Sequence, residues 1–301
     1  MKSKDWLLFW FLGIVWGTSF LWIKIGVKEL SPVLLVGYRT LFASIGLGFI
    51  WLLTKKNYTL KWQEVRGRLF DFFLMGAFNI AIPWMMFSWA GQFIDSGVSS
   101  ILNSAMPLFT ILISPIFISD DRITMPKVAG LITGFVGVVI LMSPGIREGW
   151  TSSLAGQAVA LMATVFYAIG TVYARKKGHG LPAQLQAFLQ LSMGSLIIWI
   201  VALFIEHPIT LPQLPITWVA TLWLGLLGSC LAYIIYFKLL HEIGPTRMSM
   251  VTYIPPLVGV LLGVVFLGER FYWQALFGAL LILSGISIVN LRPKPSPEKQ
   301  I

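Results

Sequence analysis

From about residue 6 onward the chain is a succession of long apolar runs in which hydrophobic residues neither alternate with polar ones nor keep to one helical face. A half-buried strand would alternate, and a helix lying on a water-facing surface would carry an apolar stripe; a helix apolar all round is surrounded by protein or lipid. Crossing about 30 Å of hydrocarbon takes roughly 20 such residues. Breaking the runs at charge clusters and at proline and glycine predicts ten spans, at 6–25, 32–53, 69–90, 97–118, 127–143, 152–174, 183–205, 217–237, 247–267 and 273–291. Only helices and closed barrels satisfy their backbone in lipid, and continuous rather than alternating runs choose helices.

Composition agrees with the pattern. Hydrophobic residues make up 57% of the 301 and charged ones 11%, too few polar groups to cover a soluble surface. The net charge of +10 is not a nucleic-acid footprint, because the basic residues lie between apolar runs instead of gathering on one folded face. With the N-terminus in the cytoplasm, 17 of the 22 Lys and Arg fall on the inner side and four (Lys24, Lys28, Arg147, Arg270) on the outer. That bias places both termini in the cytoplasm of a multi-pass protein of the cytoplasmic membrane. Lys2 and Lys4 followed by an apolar stretch imitate a secretory signal, but the stretch continues to about Ile25 without a small-x-small cleavage site and reads as a retained first helix. Cys230, the single cysteine, sits in an apolar run as a small packing residue and excludes an internal disulfide.

The two halves repeat with an offset of 148 to 151 residues. Asp121-Arg122 answers Glu269-Arg270, Gly130 and Gly137 answer Gly278 and Gly285, and Gly76 answers Gly225. Pro107 answers Pro255 or Pro256, Trp84 answers Tyr233, Trp16 answers Tyr167, and Lys24 answers Arg175. Five spans per half is an odd number, so the second copy enters the membrane from the opposite side. Residues 1–146 and 147–292 are therefore expected to be two inverted five-helix repeats, followed by a cytoplasmic tail at 293–301. Inverted repeats with a site between them are the architecture of secondary transporters.

Two stretches carry a family resemblance. One is Trp16-Gly17-Thr18-Ser19-Phe20; the other runs from Pro256 through Leu267-Gly268-Glu269-Arg270 to Gly278-Ala279-Leu280-Leu281-Ile282. Together they resemble the EamA-type carriers of the drug/metabolite transporter superfamily, over residues 6 to 291. The first half departs from the family pattern, with Ser119-Asp120-Asp121-Arg122 where Gly-Glu-Arg is usual. The resemblance implies a ten-helix carrier of small metabolites, often an exporter of amino acids or related compounds.

Arg39, about eight residues into the second span, is the charge placed deepest in the membrane. Such a charge faces a partner or a watery path, which makes it a candidate to attract a substrate carboxylate or to brace a cavity wall. The alternative is a side chain that snorkels to the outer interface. In the fourth span Ser100, Asn103, Pro107, Thr110 and Ser114 share a face, and Ser249, Thr252, Pro256, Gly259 and Gly263 repeat the spacing in the ninth. These stripes either line a pathway or pack tightly against each other. Trp16, Trp84, Tyr167 and Tyr233 lie mid-span, where an aromatic ring is a cavity wall or lipid-facing bulk. With Ser19, Asn79 and Thr171 they complete the substrate-binding set expected from the sequence: Trp16, Ser19, Arg39, Asn79, Trp84, Asn103, Pro107, Tyr167, Thr171, Tyr233, Thr252 and Pro256. Glu269-Arg270 and Asp121-Arg122, at helix ends, are either gate contacts or local ion pairs that mark topology.

The acidic residues and the histidines all fall in loops or at helix ends. A proton-coupled carrier usually keeps a titratable group in its pathway, so a uniporter, exchanger or weakly coupled exporter is expected. Asp120 and Asp121 lack a second acidic cluster to form a metal site, and Gly97-Val98-Ser99-Ser100 has no intramembrane histidine to activate a serine. The sequence thus leads to a carrier with neither cofactor nor metal, whose partners are a small-molecule substrate and the bilayer and not nucleic acid. Nothing in the pattern sets an oligomeric state. Amino-acid export is the leading reading, with broad efflux of drugs or amphipathic compounds, or an intramembrane enzyme, as alternatives.

Overall fold

The computed structural model describes residues 3–54, 65–118, 124–147, 151–177, 183–243, 249–270 and 272–289, and among these every regular element is helical. In chain order the helices are α1 (Ser3–Gly26), α2 (Pro32–Thr54), α3 (Leu69–Ala90), α4 (Ser96–Phe117), α5 (Met125–Arg147), α6 (Ser152–Lys177) and α7 (Ala183–Ile205). They continue with α8 (Pro215–Leu222, Trp223–Leu231 and Ala232–Ile243), α9 (Ile254–Leu267, led by a 3₁₀ turn at Ser249–Tyr253) and α10 (Trp273–Val289). Eight of these, α1 to α8, are long and apolar enough to cross a bilayer; α9 and α10 are shorter apolar helices. Large side chains such as Ile132 and Phe204, 62% and 79% exposed, project from the bundle and form a surface suited to lipid. The chain is a multi-pass membrane protein.

Local chemistry sets the helix boundaries. Pro32 and Pro215 open α2 and α8, where a missing N–H costs nothing. Glu29, in the α1–α2 turn, accepts hydrogen bonds from the Gln213 and Leu214 amides and the Thr217 hydroxyl, and so caps α8 from a distance. The Thr217 and Gln213 bonds hold its carboxyl below the ordinary range. At its other end α9 stops at Gly268, whose φ of 65° is the left-handed conformation that ends helices and favours glycine.

The helices pack in a reciprocal scheme. Helix α1 lies on α8 and α9, and α6 lies on α3 and α4. Helix α2 lies on α7 and α8, and α7 lies on α2 and α3. Helices α4 and α9 meet each other, as do α5 and α10. In the last pair glycines bring the backbones together. A Cβ on Gly137 would fall 2.7 Å from the Gly278 carbonyl oxygen, and one on Gly278 would fall 2.8 Å from the Gly137 oxygen. Gly130 and Gly285 oppose each other in the same way. Without a hydrophobic force between helices in lipid, such close approach is what holds them.

Overpacking this seam has a clear expected outcome. Gly137→Leu should cost about 1–3 kcal/mol or more, visible as a lower midpoint of thermal unfolding in detergent. Val139→Leu, at a position 60% exposed two residues away, should leave the midpoint within error. Equal midpoints for the two variants would refute the close α5–α10 contact.

Candidate functional site

Two of the helices change their winding where the candidate residues sit. Residues Ala77–Ala81 of α3 and Trp223–Leu231 of α8 are π-helical, a widening often found at functional sites. Gly76 adjoins the first and Gly225 lies within the second, and each admits a neighbouring backbone. A Cβ on Gly225 would fall 2.8 Å from the Arg39 carbonyl oxygen on α2, and one on Gly76 would fall 3.0 Å from the Gln190 carbonyl oxygen on α7. Helices α2, α3, α7 and α8 thus close on one buried cluster, which contains Trp84 and against which Tyr167 and Tyr233 pack.

Arg39 points into that cluster. Its guanidinium carbon stands 3.6 Å from the centroid of the Trp84 ring. Its Nε donates a 3.1 Å hydrogen bond to the Ser229 hydroxyl, which in turn donates 2.9 Å to the Leu224 carbonyl, five residues back along the π-helical turn. Arg39 is 8% exposed and Trp84 4%, so the side chain engages the bundle interior and does not snorkel to an interface. A desolvated cation over an indole face is worth about 2 kcal/mol, and Ser229 adds a charge-assisted bond. The other groups that interact electrostatically with the guanidinium are the hydroxyls of Tyr167 and Tyr233; Tyr167 in turn accepts a hydrogen bond from the Trp84 indole. Among the described residues no carboxylate pairs with Arg39.

Asn79 lies in the π-helical segment of α3, buried against Gly170 of α6, and its Oδ1 has no hydrogen-bond partner among the described residues. Ser19 of α1 is buried with its hydroxyl opposite Gly228 of α8, next to Ser229. The structure therefore gathers Arg39, Trp84, Tyr167 and Tyr233, with Asn79 in the π-helical segment of α3 and Ser19 against that of α8. Trp16 is elsewhere. It packs on Tyr236, 5.8 Å between centroids, in a separate cluster of α1, α8 and α9. Thr171 is exposed.

The remaining four candidates mark two matching helix breaks. After Asn103, α4 is interrupted: the Ser104 and Ala105 amides bond three residues back to Ile101 and Leu102, and the helix resumes at Met106 with Pro107 in its first turn. Helix α9 passes from 3₁₀ to α winding at Ile254, with Thr252 just before the change and Pro255 and Pro256 just after it. Asn103, Pro107 and Thr252 are half-buried and Pro256 is buried.

Beyond these breaks the small-residue stripes pack directly on one another. Ser100 of α4 meets Gly259 of α9, and Ser96 meets Gly263. Glu269 completes the contact. Its carboxylate accepts from the Ser96 amide at 2.6 Å, the Ser96 hydroxyl at 3.0 Å and the Gly97 amide at 3.1 Å. It thus caps α4 where the local N-cap residue, Asp95, makes no side-chain capping bond. Lys24 donates to the Ile94 carbonyl at 2.8 Å beside it. Burial pushes the Asp95 carboxyl up from its ordinary range, the neighbouring Glu269 adds to this, and Lys24 opposes it. Glu269 therefore joins two distant segments, while Arg270 next to it is exposed. Asp120, Asp121 and Arg122 lie outside the described residues.

Sequence reasoning missed Ser229 and the capping role of Glu269. The only signal for the first was its place in a glycine-rich run, Gly225 to Gly228. The second joins residues 172 and 173 positions apart, and no local pattern announces it.

Relatives agree with this architecture. The chain is 30% identical to the protein PecM of Dickeya dadantii, covering 100% of this chain and 98% of that one. It is 28% identical to the uncharacterized inner membrane transporter YedA of Escherichia coli K12 (95% and 92% covered) and 27% identical to an uncharacterized transporter of Archaeoglobus fulgidus (95% and 98%). A protein of known crystal structure superposes with a TM-score of 0.65 over 96% of both chains at 17% identity, a likeness of fold alone. The model of the EamA-like transporter family matches twice, at residues 5–143 and 154–291. With both halves matched, the chain belongs to the EamA-like transporter family and is a membrane transporter.

Proposed function

We propose that the chain is a secondary transporter of the cytoplasmic membrane that exports a small metabolite, an amino acid or a related amphipathic compound, by alternating access. In this reading residues 1–146 and 147–292 are inverted five-helix repeats that together cross the membrane ten times, with both termini in the cytoplasm. Exchanging each helix for the one five places on leaves the principal packing scheme unchanged, which supports the repeat. The backbone contacts of Gly225 with Arg39 and of Gly76 with Gln190 also exchange, as do the two glycine pairs between α5 and α10.

The observation that carries the proposal is the one-sided seal between α4 and α9. On the Glu269 side the stripes interdigitate and the carboxylate clasps the end of α4. Past the break at Asn103, the second part of α4 packs on α6 and α5 instead. In the sequence repeat Asp121 answers Glu269, and on this reading a matching clasp forms at the opposite end when the outer one opens. A carrier alternates by making one clasp as it breaks the other, with the hinges at Asn103/Pro107 and Thr252/Pro256. The positive-inside bias assigns Glu269 to the outer face. The absence of a carboxylate around Arg39 among the described residues favours exchange over proton coupling.

Purified protein in liposomes should therefore show saturable counterflow with pooled amino acids that survives collapse of a pH gradient. Loss of exchange when the gradient is removed would contradict the uncoupled reading. Glu269→Gln weakens the clasp, and in a Cys230→Ser background it should raise several-fold the outside labelling of a cysteine placed at Asn103 by a membrane-impermeant maleimide. Unchanged labelling would show that Glu269 does not hold the outer side shut.

A further inference from the structure

We infer that Arg39 is the anion-binding point of the transport pathway and that the substrate is an organic carboxylate carrying an aromatic or flat apolar body. This rests on the transporter reading above and narrows its substrate class.

The Arg39 guanidinium is incompletely satisfied. It carries five N–H donors in a planar fork. Nε is taken by Ser229 and one face is covered by Trp84, while no hydrogen bond from the other four N–H groups occupies the fork's outer edge among the described residues. A charge inside a membrane protein is expensive unless it meets a partner. The partner that fits a fork edge is a planar anion bound through two parallel hydrogen bonds.

Symmetry is broken at Arg39. The carbonyl of Arg39 meets Gly225 as the carbonyl of Gln190 meets Gly76, and Ala43 and Gly194 add their amides in equivalent places. Gln190 is therefore the repeat's counterpart of Arg39. The backbone contact is common to both repeats, whereas the cation belongs to one. Packing of the shared scaffold does not require a guanidinium here; a ligand bound in one orientation does.

The surroundings of Arg39 are aromatic. Tyr167 and Tyr233 share the cluster with Trp84, giving flat apolar faces with a few polar atoms, as small-molecule sites do. Among the described residues no second cation acts on this site; the electrostatic neighbours of Arg39 are the two tyrosines. One positive charge balances a carboxylate and leaves a phosphate dianion half-neutralised. A cationic solute would meet like charge in a medium of low dielectric.

The test is counterflow in proteoliposomes with matched compounds: L-phenylalanine and phenylacetate as carboxylates, and phenylalaninamide and phenethylamine as their uncharged-end or cationic counterparts. The carboxylates should exchange and the other two should not. Arg39→Gln should raise the KM for the exchanged carboxylate about tenfold or more, the loss expected for a charge-assisted contact. Arg39→Lys should recover part of it, and Ser229→Ala, which keeps the charge, should raise KM by a smaller factor. Gln190→Leu should leave KM unchanged. Each variant is first matched to the parent in thermal midpoint; if Arg39→Gln does not fold, the Arg39→Lys and Ser229→Ala pair carries the test. Exchange of the amine or amide as fast as the acids, or a KM indifferent to Arg39 and Ser229, would overturn the inference and leave the transporter reading standing. Absence of counterflow with any of the four compounds and with pooled amino acids would overturn the transporter reading itself, and this inference with it.

Discussion

Hydrocarbon offers no hydrogen bond to a polar group, so each departure from a regular helix in this chain needs a partner inside the bundle. The departures are few and they are paired. In the π-helical turn of α8 the Ser229 hydroxyl donates to the Leu224 carbonyl, five residues back, and its oxygen accepts from Arg39. The breaks of α4 and α9 fall at prolines, where an N–H is already missing. The end of α4 that emerges beside α9 is satisfied by a carboxylate brought from the α9–α10 turn. These irregular stretches coincide with the candidate site and its seal.

Symmetry and its violation divide the labour. Glycines at equivalent positions, Gly76 with Gly225 and the four of the α5–α10 seam, let the two halves repeat the same approaches. These contacts set the scaffold. In the proposed function, substrate is held by what does not repeat: a guanidinium in α2 where α7 has Gln190, and Ser229 beneath it. A symmetric site would bind a solute equally well in two opposed orientations; an asymmetric one orients it.

Much of this was legible in the sequence, for one physical reason. Helices in lipid write themselves as long apolar runs; Arg39 stood out as a charge deep inside one, and Trp84, Tyr167 and Tyr233 as rings at mid-span positions that the sequence repeat relates. What the sequence did not convey is rotation. A helix that is apolar all round carries little record of which face points inward, so Trp16 could be grouped with Trp84 although it packs on Tyr236 instead. Thr171 could likewise be assigned to a cavity although it is exposed. The stripes of α4 and α9 were readable as a shared face, but that part of the face is closed by packing depends on Ser96 and Ser100 meeting Gly263 and Gly259. Glu269 could be read as a gate contact or as half of a local ion pair, and its partners, Ser96 and Gly97, lie in another helix.

The central claim is that two halves of one scaffold open in turn around a site that contains Arg39. Paired spin labels in a Cys230→Ser background read this most directly, one pair on the Glu269 side at Gln92 and Tyr272 and one at the opposite end at Met125 and Lys238, all four exposed. On addition of an exchanged substrate, dipolar spectroscopy should show the first distance lengthening in the same fraction of molecules in which the second shortens. A single unchanging distance at both ends, with counterflow intact, would contradict alternating access.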